Sequence, residues 1–308
     1  MGAVTGQGTT FNLPNYVGEL FFVTPKETPF LSMIGGLTGG IPATATEIQW
    51  QSIDNAAAAQ PAILEGADPV YNARTRSPIS NILQIFQYGV ELSYTKQGAV
   101  GQISGASILG TQPVQNERVT QRRLKLEQAA RDMDYSFLQG AYQKPVDNTT
   151  ARKTRGMKNA VTTNVVAAAG ARLNRDHFQS LFKSMADSGA IFSELILFAN
   201  AFSRQRISDI YAYAPESRNV GGFSINQIET DFGMVGVCFE RHQPVDEVLA
   251  AEMSVIKPRF LTIPEKGHMF FEPLAKTGAA DKEQLYGEAG LEYGPEQWHG
   301  KITGLATA

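Results

Sequence analysis

Thr28-Pro29-Phe30-Leu31-Ser32-Met33-Ile34-Gly35 sets a helix start, an apolar payload and a helix stop side by side. Threonine can cap, proline suits the first helical position because its missing N–H would have no partner there, and glycine ends the turn. The stretch therefore specifies a short helix carrying Phe30, Leu31, Met33 and Ile34. So much apolar surface on so short a helix has to dock on something larger. The Gly-, Thr- and Pro-rich residues 1–45 around it, including Leu20-Phe21-Phe22-Val23, read as an extended arm.

Beyond the arm the pattern becomes strand-like, in runs from Glu47 to Ile53 and from Ile79 to Thr95. Ile48 and Trp50 alternate with polar residues on the first run, as do Val90, Leu92 and Tyr94 on the second, so each has one apolar face. The connector between them holds Ala56 to Ala59, Gln60-Pro61 and Ala67-Asp68-Pro69. It is long for a loop inside a compact domain. The expectation is a long two-stranded hairpin, and because two strands alone are marginal in water, its apolar face should rest on another element or another subunit.

Residues 113–141 carry the strongest helical signal. Pro113 stands near the start, and Val119, Leu126, Ala130, Met133 and Phe137 follow on one side at helical spacing. The opposite side carries Arg118, Arg122, Arg123, Lys125 and Arg131 among Glu117, Glu127 and Asp132. That face reads as solvated, with i,i+4 pairs, or as an interior face tolerating packaged nucleic acid.

A second unit follows the polar segment from Lys144 to Lys158. Asn174 caps a helix in which Phe178, Leu181, Phe182 and Met185 recur on one face, and Gly189 ends it. Glu194 to Ala199 reads as a buried strand, and Asn200 caps a helix through Tyr211. Phe223 to Ile228 with Met234 to Glu240 reads as a hairpin across Asp231-Phe232-Gly233. Strands at His268 to Glu272, Gln284 to Tyr293 and Trp298 to Leu305 end the chain. The fold class is α+β.

Composition and motifs exclude most chemistry. A net charge of -3 over 308 residues gives no global attraction to nucleic acid or anionic membranes. No run is long and apolar enough to span a bilayer, and neither a basic region nor an apolar signal core opens the sequence. Met1-Gly2 lacks the Ser or Thr that a myristoylation site needs, since Gly6 stands there. Cys238 is the one cysteine, so no intrachain disulfide forms and a reducing compartment suits the chain. The histidines, His177, His242, His268 and His299, are scattered with no metal-ligand spacing. No nucleophile elbow occurs, Pro295 and Ile302 spoil a phosphate loop at Gly300-Lys301, and Asp231-Phe232-Gly233 has no kinase context. Glu288 and Glu292 read as solvated strand charges. Neither catalysis, a cofactor nor a metal is expected.

The order of arm, hairpin, long helix, α+β unit and returning strands resembles the tailed-phage major capsid proteins of the Hong Kong 97-like fold. The likeness is carried by residues 28–35, Glu47-Ile48-Gln49-Trp50, Glu65-Gly66, Pro273-Leu274-Ala275-Lys276-Thr277-Gly278 and Trp298-His299-Gly300-Lys301-Ile302-Thr303-Gly304-Leu305. It implies an N-arm over 1–45, an extended loop over 46–95, and a peripheral domain over 96–159 with its spine helix at 113–141. It further implies an axial domain over 160–258 and strands returning to the peripheral domain over 259–308.

The resemblance implies a structural, self-assembling shell protein, placed in the virion capsid and assembled in the host cytoplasm. Its copies would form hexamers and pentamers of an icosahedral head around double-stranded DNA, with portal and scaffolding proteins as partners and no membrane. The alternative is an encapsulin-like cellular compartment of the same fold. Inter-subunit contacts are expected at Phe21, Phe22, Trp50, Glu65, Asp68, Arg74 and Arg76, and interior-facing basic residues at Arg118, Arg122, Arg123 and Lys125. Part of that family joins a lysine on the extended loop to an asparagine of a neighbouring subunit. Here no lysine occurs between Lys26 and Lys96.

Overall fold

The computed structural model describes residues 27–54, 57–98, 117–147, 149–211, 217–220 and 223–307. Phe21, Phe22 and the expected helix start at Pro113 lie outside them.

The chain opens with α1 (Pro29–Met33), whose Phe30 and Leu31 are fully buried. Thr28 holds the cap position but makes no side-chain cap bond, so the expected cap is supplied from elsewhere. Next come β1 (Ile41–Ala43), β2 (Glu47–Ile53), β3 (Arg76–Ile82) and β4 (Gln84–Ser93). β2 and β3 form the antiparallel ribbon that the sequence implies, with Trp50 opposite Ile79. The expected run from Ile79 to Thr95 is not one strand, however. β3 ends at Ile82 opposite Glu47 of β2, and the next strand begins at Gln84 opposite Ala289. The chain breaks at Leu83, and β4 leaves the ribbon for another sheet.

α2 (Tyr94–Gly98) and the long α3 (Glu117–Gln139) follow. α3 spans about 35 Å at 1.5 Å per residue. Its C-terminal half is the buried one, with Met133 and Phe137 fully enclosed. Val119, expected on the apolar face, is 59% exposed.

The remaining elements are α4 (Met157–Ala160), β5 (Val165–Ala167), α5 (Arg175–Asp187), β6 (Leu195–Ala199), α6 (Ala201–Ile210), β7 (Ser217–Val220), β8 (Phe223–Thr230) and β9 (Gly233–Phe239). β10 (Val248–Glu252), β11 (Lys257–Leu261), β12 (Met269–Pro273), β13 (Ala280–Glu292) and β14 (Gly300–Thr303) complete the described chain. α5 begins as its sequence specifies: the Asn174 side chain accepts from the His177 amide, and the His177 ring answers the Asn174 amide.

Two larger sheets organise these elements. One runs β5-β14-β10-β6-β9-β8-β7. Its central strands are buried on both faces, which is why β6 and β10 read as continuous apolar runs. Leu195, Leu197, Val248 and Ala250 point to a core with Phe178, Leu181, Phe182 and Met185 of α5. Ile196, Phe198, Leu249 and Ala251 point to a second core with α1, Met133 and Phe137 of α3, and Leu291 of β13.

The other sheet is built on β13, which pairs with β11 and β12 and, over ten registered residue pairs, with β4. The last strand, β14, does not join this sheet. It lies between β5 and β10 in the seven-stranded sheet. The reason is a close fit. Ile302 is fully buried opposite Val248, and a Cβ on Gly300 would stand 2.7 Å from Leu181 Cδ1, so glycine lets α5 approach without displacing its side chains. Among the described residues no helix is long and apolar enough to cross a membrane.

Candidate functional site

The feature that the chain's own folding leaves unused is the connector of the β2–β3 ribbon. Every described residue from 53 to 78 is exposed, and between the strands the described backbone has no regular structure beyond a turn at Glu65–Gly66. Ile63, Leu64, Val70 and Tyr71 stand 65, 85, 82 and 88% exposed. Large apolar side chains gathered on a projection of this kind mark a surface made for contact. Sequence reasoning singled out the charges of this segment and missed these four, although Pro61-Ala62-Ile63-Leu64 and Pro69-Val70-Tyr71 interrupt an otherwise small or polar stretch.

The charged residues expected at contacts between subunits stay exposed. Glu65, Asp68, Arg74 and Arg76 are all exposed on the connector or its edge. Arg76 donates to Gln51 across the ribbon at 3.1 Å. Among the described residues no ion pair joins these four to one another. Trp50 packs on its own chain. Its indole Nε1 donates to the Gly294 carbonyl at 2.9 Å, and its ring meets Tyr293 edge-on at 4.8 Å. These contacts anchor the root of the ribbon.

The basic side of α3 is also less free than its sequence suggests. Arg118 and Arg122 converge on Glu283 of β13, a carboxylate with 4% exposure, at 3.0 Å and 2.8 Å. The Arg122 bond, with Arg118 beside it, holds the Glu283 carboxyl below its ordinary value. The Arg122 guanidinium also lies over the Phe271 ring. Arg123 pairs with Glu127 along the helix, and Lys125 reaches Gln128. Glu288 and Glu292, expected as solvated charges, are instead partners of Arg152 and Arg259.

Two of the histidines make specific contacts inside the fold. His299 is fully buried, its Nδ1 accepting from the Glu252 amide at 3.1 Å and its Nε2 facing the Tyr293 carbonyl at 2.7 Å. It is therefore a neutral imidazole donating through Nε2, and burial pulls its value down to about 4. His242 meets Asp134 and Glu240, with one ligand-type atom from each within 4.8 Å of the others. Such a trio has the makings of a metal site, but its oxygens are already engaged. Asp134 accepts from the Leu31 amide and faces His242 Nδ1, while Glu240 accepts from the Phe30 and His242 amides. Backbone donors and the imidazole fill the role a cation would have. Burial and the neighbouring Asp134 push Glu240 up to about 7. The bond to Asp134 raises His242 despite its partial burial. Cys238, close by, is buried and its thiol is pushed up to about 12, which leaves it without nucleophilic character at neutral pH.

A family model described as SU10 major capsid protein matches residues 3–306 of the chain. No curated protein sequence matches it. Among solved structures, the capsid of cyanophage A-1(L) is similar with a TM-score of 0.65 at 11% identity, covering 96% of this chain and 97% of that one. The capsid of a native GTA particle gives a TM-score of 0.62 at 12% identity, covering 99% of each chain. The SrpI encapsulin complex from Synechococcus elongatus PCC 7942 also gives 0.62 at 12% identity, covering 96% of this chain and 93% of that one. At such identities these likenesses speak to the fold.

Proposed function

The chain belongs to the SU10 major capsid protein family, and from that premise we propose how it closes a shell: the connector of the β2–β3 ribbon lies across an adjacent copy, which buries Ile63, Leu64, Val70 and Tyr71. The fold is Hong Kong 97-like, shared with phage capsids and an encapsulin. As a major capsid protein the chain is structural and not an enzyme, and its place is the virion capsid, built from many copies of itself.

The observation that carries the contact is the exposure of those four side chains on a segment without packing of its own. A shell of five- and six-membered rings needs one sequence to meet slightly different neighbours, and an irregular connector that can bend at Gly66 and its prolines suits that need. In this reading residues 1–45 are the N-arm. The extended loop is β2, β3 and their connector, shorter than the expected 46–95, since β4 pairs with β13. α3 is the spine of the peripheral domain, and the seven-stranded sheet with α5 and α6 is the axial domain, to which β14 also belongs.

Pentamers and hexamers of an icosahedral head, assembled in the host cytoplasm with portal and scaffolding proteins, complete the reading. Contact with packaged double-stranded DNA is weak and non-specific, since Glu283 holds Arg118 and Arg122 and Glu127 pairs with Arg123. The likeness to an encapsulin favours a second reading, in which the shell loads protein cargo. Nucleic acid released on mild disassembly supports the first, and a co-purifying protein the second.

The test is electron microscopy in negative stain of the purified chain and of a variant in which Asn55 to Asn72 is replaced by a short Gly-Ser closure. The full chain is expected to give uniform polyhedral particles, and the variant a folded, dispersed subunit. Normal particles from the variant, or a dispersed 33.5 kDa species from the full chain, would refute the proposal.

A further inference from the structure

α1 is fastened to the molecule through the amides that begin it. Phe30 N–H donates to Glu240 Oε2 at 3.2 Å, and Leu31 N–H donates to Asp134 Oδ1 at 2.8 Å. First-turn amides have no partner inside a helix, so these two carboxylates do the work that Thr28 does not. The acceptors come from distant elements, Asp134 from α3 and Glu240 from the segment just after β9. His242 ties them together. Its ring Nδ1 lies 2.6 Å from Asp134 Oδ2, and its backbone amide donates to Glu240 Oε1 at 3.0 Å. Asp134 and Glu240 are fully buried, while the His242 side chain retains 23% exposure, so water reaches the cluster through the imidazole.

We propose that Asp134, Glu240 and His242 form a proton-dependent latch on α1, closed while the cluster holds its protons and loosened as pH rises past neutral.

The surroundings bear on the direction. From α3, Arg131 opposes a charge on His242, and the Tyr135 ring stands edge-on to the imidazole at 6.4 Å. Gln139, also on α3, donates to the His242 carbonyl. Arg241, between the two titrating residues, pairs with Glu27 at 3.3 Å. From β9, Cys238 faces Glu240 and Asp134, with Arg204 of α6 in electrostatic reach. The thiol stays neutral throughout the relevant range.

Glu240 and His242 both bind a proton more tightly in the fold than in the open chain. The stability that such groups confer is complete below their unfolded values and is lost as pH climbs through their folded ones. For Glu240 that window runs from 4.5 to about 7, and for His242 it extends upward from 6.5. Below it, a neutral Glu240 still has lone pairs for both amides and a charged imidazole faces Asp134. Above it, two carboxylates share a buried site and the imidazole between them no longer carries a charge.

The latch itself does not depend on the assembly reading. Only its consequence, release of the arm's anchor within a shell, rests on that reading. Hydrogen–deuterium exchange of the full chain distinguishes the two, because it reads α1 whether or not particles form. Corrected for intrinsic exchange at each pH, protection of a peptide spanning 27–36 is expected to fall by at least about tenfold between roughly pH 5.5 and 8.5. A reference peptide spanning 194–200 is expected to hold steady. In Glu240→Gln the profile is expected to flatten, because the residue no longer takes up a proton. No fall in the wild type, a fall shared by the reference peptide, or an undiminished fall in Glu240→Gln would overturn the latch. Should that variant fail to fold, the wild-type profile decides alone.

Discussion

Replacing Leu64 and Tyr71 together by serine separates folding from assembly. In the subunit the two side chains are 85 and 88% exposed, so their loss removes nothing that holds the fold. At a neighbour's surface the same side chains would pass from water into contact. Full burial of one large apolar side chain contributes roughly 1.5 to 3 kcal/mol. Two of them contribute about 3 to 6, from which ordering two side chains takes about 1 to 2. A net loss of about 2 to 4 kcal/mol per copy raises the concentration needed for assembly about 30- to 700-fold, at 1.4 kcal/mol for each factor of ten.

The assay is light scattering of dissociated subunits over a concentration series, paired with thermal melting followed by circular dichroism. The variant is expected to melt with the wild type and to need the higher concentration for scattering to appear. Scattering at the wild-type threshold would refute the contact. A melting temperature lowered by more than a few degrees would show that these side chains belong to the chain's own core.

Phe178→Ala acts on the opposite side of that division. Phe178 is fully buried against Phe182 and Tyr211, so its truncation is expected to cost about 3 to 5 kcal/mol, visible as a lowered melting temperature and soluble yield, whereas wild-type melting would place that face at an interface. Mature particles boiled in detergent and reductant are expected to run as a single monomer band on a denaturing gel. No lysine occurs between Lys26 and Lys96, and the guanidinium groups of Arg74 and Arg76 stay protonated and cannot attack a carboxamide, so a ladder of multimers would contradict the reasoning.

What the sequence discloses here follows the distance over which its signals act. α5 is legible because Asn174, His177, the apolar positions and Gly189 all lie within one element, and the β8–β9 hairpin because its turn is contiguous. The break at Leu83 and the placing of β14 are decided by strands far away in the chain, and no local period encodes a choice between two sheets. The same holds for the cluster under α1, where 108 residues separate Asp134 from His242. Trp50 and Tyr71 make the point most directly. Each is an aromatic residue in a strand-like or breaker-rich setting, and composition treats them alike. In space one finds Tyr293 and the Gly294 carbonyl, while the other finds water. In the proposed assembly, a ring that its own fold leaves 88% exposed, on a segment shared with three exposed aliphatic side chains, would meet the surface of another copy, and no residue near Tyr71 in the sequence encodes that surface.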